Sequence, residues 1–259
     1  MNSFKCNKIA SHIIDWLNNY IKDVPVDGFI VGLSGGVDSA LVASLCARTN
    51  KKVLLLNMPI RQSDGEFSRA QKQIDSLEKA YSNVKGLIID LTNSFESFEA
   101  TMPDDVNKDL LSMANARARI RMTTLYAVGQ TNQLLVAGTG NKVEDFGIGF
   151  YTKYGDGGVD LSPIGDLMKS EVFKLAKHLG VIQGIIEAKP TDGLWGDERN
   201  DEDQIGATYD ELEFAMNYNG DATALTDRLK EVLKVYKRLN SINQHKMNPI
   251  PVCNLDGIK

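Results

Sequence analysis

Cysteines are few in this sequence, and no two of them lie close together. Cys6, Cys46 and Cys253 are widely separated along the chain, so the sequence has neither a CxxC redox motif nor the ligand spacing of a zinc site. The odd number of cysteines also argues against a framework of disulfide bonds. We therefore expect free thiols in a reducing compartment.

Long apolar runs and an excess of basic residues are also missing. The first 21 residues mix charged side chains such as Lys5, Lys8 and Asp15 with apolar ones, unlike the continuous apolar stretch of a signal peptide. No later run is long and apolar enough to cross a membrane. The formal net charge of −5 argues against broad binding to nucleic acids or acidic membranes. The sequence thus predicts a soluble cytoplasmic protein with neither of those partners.

Short apolar strands alternate with amphipathic helices along the 259 residues. Strands that are apolar throughout are typical of a parallel sheet covered on both faces, and their alternation with helices indicates right-handed βαβ units. We predict one α/β domain over residues 1–259, with a doubly wound, mostly parallel five-stranded sheet and helices on both faces. Strands are expected at 29–33, 53–56, 87–89, 134–137 and 159–164, and helices at 4–22, 40–45, 66–81, 106–131, 169–179, 207–217 and 222–240.

The strongest local signal lies between the first strand and the next helix, in the run Gly32-Leu33-Ser34-Gly35-Gly36-Val37-Asp38-Ser39. Its adjacent glycines allow the backbone to turn tightly and to approach a ligand without a Cβ clash. The exposed N–H groups and the helix N-terminus then face an anion such as pyrophosphate, and the two serine hydroxyls add donors. This run is interpreted as a nucleotide-phosphate loop.

Asp38 places a carboxylate beside these phosphates. The two anions repel each other unless a divalent cation lies between them, so we expect Mg²⁺ at this position. The alternative is an ordinary strand-to-helix turn capped by Asp38 or Ser39. A double glycine alone favours that alternative, whereas the full SGGxDS pattern favours nucleotide binding.

The loop is neither the GxxxxGK[ST] loop of kinases and GTPases nor the GxGxxG of dinucleotide-binding dehydrogenases. It resembles the pyrophosphatase loop of the N-type ATP pyrophosphatases, which cleave ATP between the α and β phosphates and adenylate a substrate oxygen. That family includes the NAD, GMP, asparagine and argininosuccinate synthetases and several tRNA-modifying enzymes. The resemblance implies an adenine nucleotide alpha hydrolase-like fold.

Three further blocks resemble the NAD synthetases within that family. They are residues 137–145 (AGTGNKVED), 149–160 (GFYTKYGDGGVD) and 161–169, the last followed by Lys-Pro-Thr at 189–191. The blocks occur in the family's order, and the FYTKYGDGGVD string is highly specific. The phosphate loop begins near residue 34, so we expect no glutaminase domain before it. The resemblance therefore implies the ammonia-dependent short form, working as a homodimer with the dinucleotide near the subunit interface.

The resemblance also implies which residues bind metal and ATP. Asp38 and Glu144 match the magnesium carboxylates. Lys169 opens a helix, a position that the helix dipole disfavours for a cation, and a bound phosphate would compensate for that charge. The alternatives are a solvated helical acid for Glu144 and a surface lysine for Lys169. The ATP contacts implied in this way are Gly32, Leu33, Ser34, Gly35, Gly36, Val37, Asp38, Ser39, Thr139, Lys169 and Thr191.

A second set of residues matches the site of the deamidated dinucleotide. The planar guanidinium of Arg121 suits a bidentate grip on carboxylate or phosphate, whereas Arg117 and Arg119 are interpreted as a solvated basic face. Solvated surface is also the alternative for the pair at 245–246. The residues implied for deamido-NAD are Arg121, Lys153, Asp160, His245 and Lys246.

Two residues of the 149–160 block are assigned to catalysis. Lys153 would offset charge near the nicotinic carboxylate. Asp156 lies between Gly155 and Gly157, in a loop that can bring its side chain close to the substrate. We expect Asp156 to bind ammonium and accept its proton; the alternative is a turn aspartate.

The implied reaction begins with attack of the nicotinate carboxylate on the α-phosphorus of ATP, which gives an acyl adenylate and pyrophosphate. Ammonia then displaces AMP to form NAD. One alternative is another amidating or thiolating member of the family, although a tRNA thiolase would be expected to show cysteine pairs and a basic surface. The other is an adenine-nucleotide sensor on the same scaffold, which loss of Asp38 or Glu144 would have favoured.

An acidic, glycine-containing segment at residues 193–206 includes Trp195. Its composition favours a mobile surface loop over a packed element. The more specific interpretation is a lid that closes over ATP and keeps water from the adenylate, with slower proteolysis near Arg199 when both substrates are bound.

Overall fold

Four parallel strands form the sheet of the computed structural model, which describes residues 3–188 and 201–258. The strand order is β3-β2-β1-β4, with neighbouring strands parallel throughout. The predicted parallel α/β fold is therefore confirmed. The strands are β1 (Gly28–Gly32), β2 (Lys52–Asn57), β3 (Val84–Ile88) and β4 (Leu134–Val136).

The predicted fifth strand, at 159–164, is wrong within the described residues. Only a single parallel bridge, Ala137 to Leu161, continues the sheet beyond β4. The N–H of Val136 donates to Oδ2 of Asp160 at 2.8 Å, so a side chain takes a donor that an added strand would need. Pro163 then has no N–H to offer a ladder, and the chain turns away.

Helices cover both faces of the sheet, as predicted, because alternate residues of each strand point to opposite sides. Phe29 and Val31 of β1 pack with α1, α2, α3 and α7, whereas Ile30 packs with α4 and α6. The helices are α1 (Ser3–Tyr20), α2 (Val37–Ala47), α3 (Asp64–Ala80), α4 (Thr92–Glu99), α5 (Asp104–Lys108), α6 (Leu110–Thr131), α7 (Lys169–His178), α8 (Gln183–Ile186), α9 (Asp201–Ile205), α10 (Tyr209–Asn217), α11 (Asp227–Ile242) and α12 (Gln244–Met247). A π-helix spans Lys142–Ile148, and a 3₁₀ turn spans Ala222–Ala224.

A third apolar cluster lies beside the sheet and joins the π-helix to α10 and α11. Val143 and Ile148 of the π-helix pack there with Leu212 and Val232. This cluster fixes the position of the π-helix, which carries Glu144, relative to α10.

The predicted helix at 106–131 is two helices. Asp109 ends α5 and caps α6, because its Oδ1 accepts the N–H groups of Leu111 at 3.0 Å and Ser112 at 3.1 Å. An aspartate at an N-cap satisfies donors that have no partner inside the helix. The chain therefore restarts a helix at Leu110 instead of continuing one.

The acidic segment lies partly outside the described residues. Thr191, Trp195 and Arg199 are among those not described. The interpretation of residues 201–205 as loop is wrong, because Asp201–Ile205 form α9 with Asp201 and Ile205 buried. The acids of α9 find donors: the N–H of Tyr209 donates to Oε1 of Glu202 at 2.8 Å.

Two features bear on the environment of the chain. No helix within the described ranges is long and apolar enough to cross a membrane. The three cysteines are free thiols, with Cys6 and Cys46 buried and Cys253 exposed.

A two-pronged ion pair joins α10 to α11, and it gives a pH prediction. Arg228 donates from Nε and Nη2 to the two carboxylate oxygens of Glu211, both at 2.7 Å. The hydrogen bond from Arg228 lowers the pKa of Glu211 from 4.5 to about 2. A lowered carboxyl pKa contributes stability above pH 4.5 that is lost as the pH falls toward 2. Glu211→Gln should therefore lower the free energy of unfolding at pH 7, by about 1 kcal/mol or less for a partly exposed pair.

Urea unfolding of Glu211→Gln and wild type at pH 7 and near pH 3 measures this difference. Glu231→Gln is the matched control, because Glu231 is 67% exposed and contacts Arg228 at the longer distance of 3.5 Å. The ion-pair account is wrong if the difference for Glu211→Gln does not shrink at low pH.

Candidate functional site

The loops that follow β1 and β4 meet at one edge of the sheet, because these strands are parallel neighbours. In open α/β sheets this carboxyl edge is where ligands bind. Asp38 follows β1 and Asn141 follows β4, and Nδ2 of Asn141 donates to Oδ1 of Asp38 at 3.0 Å. The phosphate loop and the 137–145 block thus form one site.

The phosphate loop contains a turn that requires glycine. Gly35 has φ of +87°, and a Cβ at this residue would lie 2.6 Å from the carbonyl oxygen of Glu66. The hydroxyl of Ser39 donates to the Gly36 carbonyl at 3.1 Å, and the N–H of Gly36 donates to Oγ of Ser34 at 3.2 Å. Only glycine fits at residue 35 without moving α3.

The N-terminus of α2 has no side-chain cap. The N-cap residue is Gly36, so the alternative in which Asp38 or Ser39 caps this turn is wrong. Ser39 instead accepts the N–H of Ser34 at 3.3 Å, back within the loop. The start of α2 thus keeps donors available for an anion.

Lys169 joins the two predicted magnesium carboxylates. Its Nζ donates to Oδ2 of Asp38 at 2.7 Å and to Oε1 of Glu144 at 2.8 Å. The lysine is 3% exposed, and each carboxylate side chain is 16% exposed. The surface-lysine and solvated-acid alternatives are therefore wrong. The two carboxylates compensate for the positive charge at the start of α7.

Burial and charge act in opposite directions on this cluster. Burial disfavours the ammonium of Lys169, but Asp38 and Glu144 outweigh it and raise the lysine pKa above its usual range. Burial likewise opposes ionisation of Glu144, but attraction to Lys169 and its hydrogen bonds lower the carboxyl pKa. Burial raises the pKa of Asp38 despite Lys169. These pKa shifts describe two carboxylates around one buried cation.

Asn141 links the Asp38 carboxylate to the backbone of Glu144, and it was missed by the sequence analysis. It is fully buried and caps the π-helix, since its Oδ1 accepts the N–H groups of Val143 at 3.0 Å and Glu144 at 3.1 Å. Its Nδ2 holds Asp38. The signal was present, because an asparagine just before an acidic helical turn is a typical N-cap. π-helical turns occur frequently at functional sites.

Tyr209 is the second residue that sequence reasoning missed. Its hydroxyl donates to Oε1 of Glu144 at 2.6 Å and lies 3.3 Å from Oδ2 of Asp201. Nζ of Lys169 lies 4.7 Å from the centre of its ring, within cation–π range. No local pattern indicates this role, because Tyr209 lies far along the chain and reads as a core aromatic.

Helix α10 also fixes the start of α7. Glu213 accepts the N–H of Ser170 at 2.7 Å and its hydroxyl at 2.8 Å. A carboxylate at a helix N-terminus satisfies a donor that has no partner within the helix. The residue next to Lys169 is thereby anchored on the helix that carries Tyr209.

The 149–160 block forms a tight turn around Asp156. Oδ1 of Asp156 accepts the N–H of Thr152 at 3.0 Å, and Tyr154 adopts a φ of +66°. Non-glycine residues in this region are strained and cluster at functional sites. Burial raises the pKa of Asp156. The turn role is shown by this geometry, and the proton-accepting role stays a prediction.

The C-terminal residues pack on this block. Lys153 donates to the His245 carbonyl. Lys246 donates to the carbonyls of Gly149 at 2.8 Å and Tyr151 at 2.9 Å, and burial lowers its pKa. Three residues predicted to bind the dinucleotide, from distant parts of the chain, thus lie together.

The other predicted dinucleotide residues lie at separate places. Arg121 donates from Nε to the Met58 carbonyl at 3.0 Å, after β2, and burial lowers its pKa to about 10. Asp160 accepts the hydroxyl of Tyr126 at 3.0 Å as well as the backbone of β4. Thr139, which is a predicted ATP contact, follows β4 and is partly buried.

The interpretation of Arg117 and Arg119 as a solvated basic face is wrong in part. The guanidinium of Arg117 lies 5.2 Å from the ring centre of Phe95, which is fully buried. Nε of Arg119 donates to the Lys153 carbonyl at 3.2 Å. Arg119 therefore supports the 149–160 block.

Relatives of this protein are similar to it over nearly the whole chain. The sequence matches the family model of NAD synthase over residues 9–249. An NH(3)-dependent NAD(+) synthetase from Mesoplasma florum is 36% identical over 239 residues, covering 92% of this chain and 92% of that protein. Another protein of that name, from Methanosarcina acetivorans, is 35% identical and covers 96% of this chain and 98% of its own.

Solved structures are similar over the same extent. NMN synthetase from Francisella tularensis has a TM-score of 0.85 at 31% identity, over 96% of this chain and 98% of that one. The NH3-dependent NAD synthetase from Campylobacter jejuni, solved with a nitrate ion, has a TM-score of 0.77 at 30% identity, over 98% and 100%. These neighbours confirm the adenine nucleotide alpha hydrolase-like fold. The chain belongs to the NAD synthase family.

Proposed function

We propose that the protein uses ATP and ammonia to amidate deamido-NAD, giving NAD, AMP and pyrophosphate through an acyl adenylate. The observation that carries the proposal is the pair Asp38 and Glu144, held around one cation beside an uncapped helix N-terminus. Relatives named NH(3)-dependent NAD(+) synthetase, similar along 92% or more of this chain, support the same reaction.

The residues present fit a magnesium ion. Oxygens of Asp38 and Glu144 already share one cation, the ammonium of Lys169, at 2.7 and 2.8 Å. No group of three or more His, Cys, Asp and Glu side chains suited to a metal occurs among residues 3–188 and 201–258. Mg²⁺ typically takes one or two carboxylates and completes its shell with phosphates and waters. When bound, it would neutralise charge on the departing pyrophosphate.

The chain's own groups would position the two substrates. The loop at 32–39 and the start of α2 would hold the triphosphate through N–H groups, with Thr139, Lys169 and Thr191 as further ATP contacts. The deamidated dinucleotide would lie against Arg121, Lys153, Asp160, His245 and Lys246. Such a site works by orientation and electrostatics without a side-chain nucleophile. We also propose a homodimer, which light scattering would detect as twice the mass of one chain.

Asp156 would take the proton that ammonium must lose. Asp156→Asn should reduce the rate of NAD formation by about a hundredfold or more, as is typical when a general base is lost. ATP–pyrophosphate exchange in the absence of ammonia reports adenylate formation alone, and it should be retained. If exchange and NAD formation fall by the same factor, Asp156 is a structural turn residue and not the base.

Tyr209 would act as a positioning residue for Glu144. Tyr209→Phe removes the donor that lies 2.6 Å from Glu144, which should lower the free energy of unfolding by about 1–3 kcal/mol. It should also raise the Mg²⁺ concentration needed for half-maximal turnover, a shift that a loss of packing would not produce.

Tyr218→Phe is the matched control, because that hydroxyl donates to the Asp221 carbonyl at 2.7 Å on an exposed turn. It removes one tyrosine hydrogen bond without touching either carboxylate. An unchanged magnesium dependence in Tyr209→Phe would exclude the positioning role.

One assay tests the proposed function and its alternative together. The second candidate is amidation at the mononucleotide level, favoured by the TM-score of 0.85 to an NMN synthetase. Purified protein with ATP and Mg²⁺ is given deamido-NAD or nicotinic acid mononucleotide, each with ammonium or with ammonium-free glutamine. We expect the highest kcat/KM with deamido-NAD and ammonium. A preference for the mononucleotide would replace the substrate, and equal rates with glutamine would overturn the nitrogen source.

A further inference from the structure

The ammonium of Lys169 lies in the position that a shared metal ion would need. It contacts an oxygen of each carboxylate, Asp38 at 2.7 Å and Glu144 at 2.8 Å, and the lysine is 3% exposed. Asp38 and Glu144 would hold a magnesium ion through their carboxylate oxygens, and the ammonium that already contacts those oxygens would compete with it. Two cations beside the same buried carboxylates would repel each other strongly, because water is largely excluded.

Residues other than the lysine also hold the two carboxylates. Asn141 donates to Oδ1 of Asp38 at 3.0 Å, the oxygen that Lys169 does not use. Tyr209 donates to Glu144 at 2.6 Å. Departure of Lys169 would therefore leave two held, negatively charged groups and a gap between them, instead of a collapsed site.

The side chain of Lys169 can move from the carboxylates toward the nucleotide. It is the first residue of α7, and its four-carbon stem lets the ammonium move while the backbone, anchored through Ser170 and Glu213, stays fixed. The nearest strong anion in the loaded site would be the triphosphate on the loop at 32–39, which includes Asp38. A lysine ammonium is a mobile point charge suited to phosphate.

We propose that Lys169 serves as a built-in counter-ion, which occupies the metal position in the nucleotide-free protein and moves to the triphosphate when the metal enters with ATP. This inference rests on the proposed function. Its consequence is that the protein binds a divalent cation poorly by itself and acquires it together with the nucleotide. In the nucleotide-free protein the two carboxylates would then be neutralised by Lys169, and no divalent cation would be bound between them.

The test measures metal binding without nucleotide. Mn²⁺ is the probe, because free Mn²⁺ is counted directly by electron paramagnetic resonance during a titration. Two neutral variants, Lys169→Met and Lys169→Gln, are compared with wild type and with Lys169→Arg, which keeps the charge. Lys142→Met is the matched control: Lys142 pairs with exposed Asp166 at 2.7 Å and lies two residues from Glu144, so it removes the same charge nearby without freeing the carboxylates.

We expect the neutral variants to bind Mn²⁺ about tenfold tighter or more than wild type, a difference of about 1.4 kcal/mol per factor of ten. Lys169→Arg and Lys142→Met should bind as weakly as wild type. Mn²⁺ should also raise the Tm of the neutral variants more than that of wild type, because a ligand of the folded state stabilises it. The Tm measurement also detects metal binding by a variant that is folded only when the metal is present.

Turnover should change in the opposite direction, since Lys169 is also a proposed ATP contact. Tighter metal binding with lower NAD formation is a combination that general disruption of the site would not give. Equal or weaker Mn²⁺ binding in both neutral variants overturns the counter-ion role, and so does equally tight binding in Lys169→Arg. If the variants give either of these results while the wild type makes NAD, the counter-ion role is wrong and the proposed function stands. If the wild type makes no NAD, the proposed function itself is wrong.

Discussion

Asp38→Asn and Glu144→Gln should each reduce kcat/KM by at least about a hundredfold, because metal-mediated stabilisation of the departing pyrophosphate is worth about 3 kcal/mol or more. Each change keeps the shape of the side chain and removes one negative charge from a pair around a single cation. Raising the Mg²⁺ concentration should not restore turnover. The fold should survive, since Asn141 and Tyr209 still contact the altered side chains.

Asp166→Asn provides the control for this experiment. Asp166 is 94% exposed and pairs with Lys142, so the substitution removes an acid from the same region without entering the site. Thermal unfolding followed by circular dichroism shows whether each variant is folded. Near-normal activity of either Asp38→Asn or Glu144→Gln at saturating Mg²⁺ would remove the metal assignment.

Gly35→Ala should reduce kcat/KM for ATP by about a hundredfold, comparable to losing a preorganised donor in an active site. The residue has φ of +87°, and an added Cβ would lie 2.6 Å from the Glu66 carbonyl. The loop must shift, and its N–H groups then no longer converge on one anion. The left-handed strain adds about 1–2 kcal/mol of destabilisation.

Gly180→Ala separates these two effects. Gly180 also has a positive φ, of +80°, but a Cβ there meets nothing within 4 Å. Both variants should lose similar stability from backbone strain, while only Gly35→Ala should lose ATP affinity, measured by calorimetry with a non-hydrolysable analogue. A similar loss of ATP affinity in Gly180→Ala would show that the effect is global.

Local features of this site were predictable from the sequence. The SGGxDS loop lies within one strand-turn-helix unit, and its glycine has the conformation that the pattern demands. The meeting of the loop with the 137–145 block follows from one rule, that parallel neighbouring strands bring their carboxyl ends to one edge. The distances among these residues required the structure.

Errors in the predicted fold arose where a side chain competes with the backbone for hydrogen bonds, or where the sequence pattern of an element was short. The fifth strand fails because Asp160 takes a donor of β4, and the long helix divides because Asp109 caps its second part. Helix α4 was missed although Leu91, Phe95 and Phe98 have helical spacing. Leu87 and Ile88 of β3 are 42% and 49% exposed, because β3 is an edge strand.

Residues that act across the fold could not be read from local patterns. Tyr209 reaches Glu144 only because the third apolar cluster packs α10 against the π-helix. Asn141 lies within the 137–145 block, but its two hydrogen-bonding roles require that β1 and β4 be neighbours. Asp38, Glu144 and Lys169 come from three segments that are distant in sequence. Their contact likewise depends on tertiary packing.

In the proposed reaction the carboxylate of deamido-NAD attacks the α-phosphorus of ATP. Isotope transfer tests this step: deamido-NAD labelled with ¹⁸O in its nicotinate carboxylate is incubated with ATP, Mg²⁺ and ammonium, and the mass of the AMP formed is determined. We expect NAD together with AMP that carries one ¹⁸O atom, because the attacking oxygen leaves with AMP when ammonia displaces it. Unlabelled AMP, formation of ADP in its place, or no NAD would rule this reaction out.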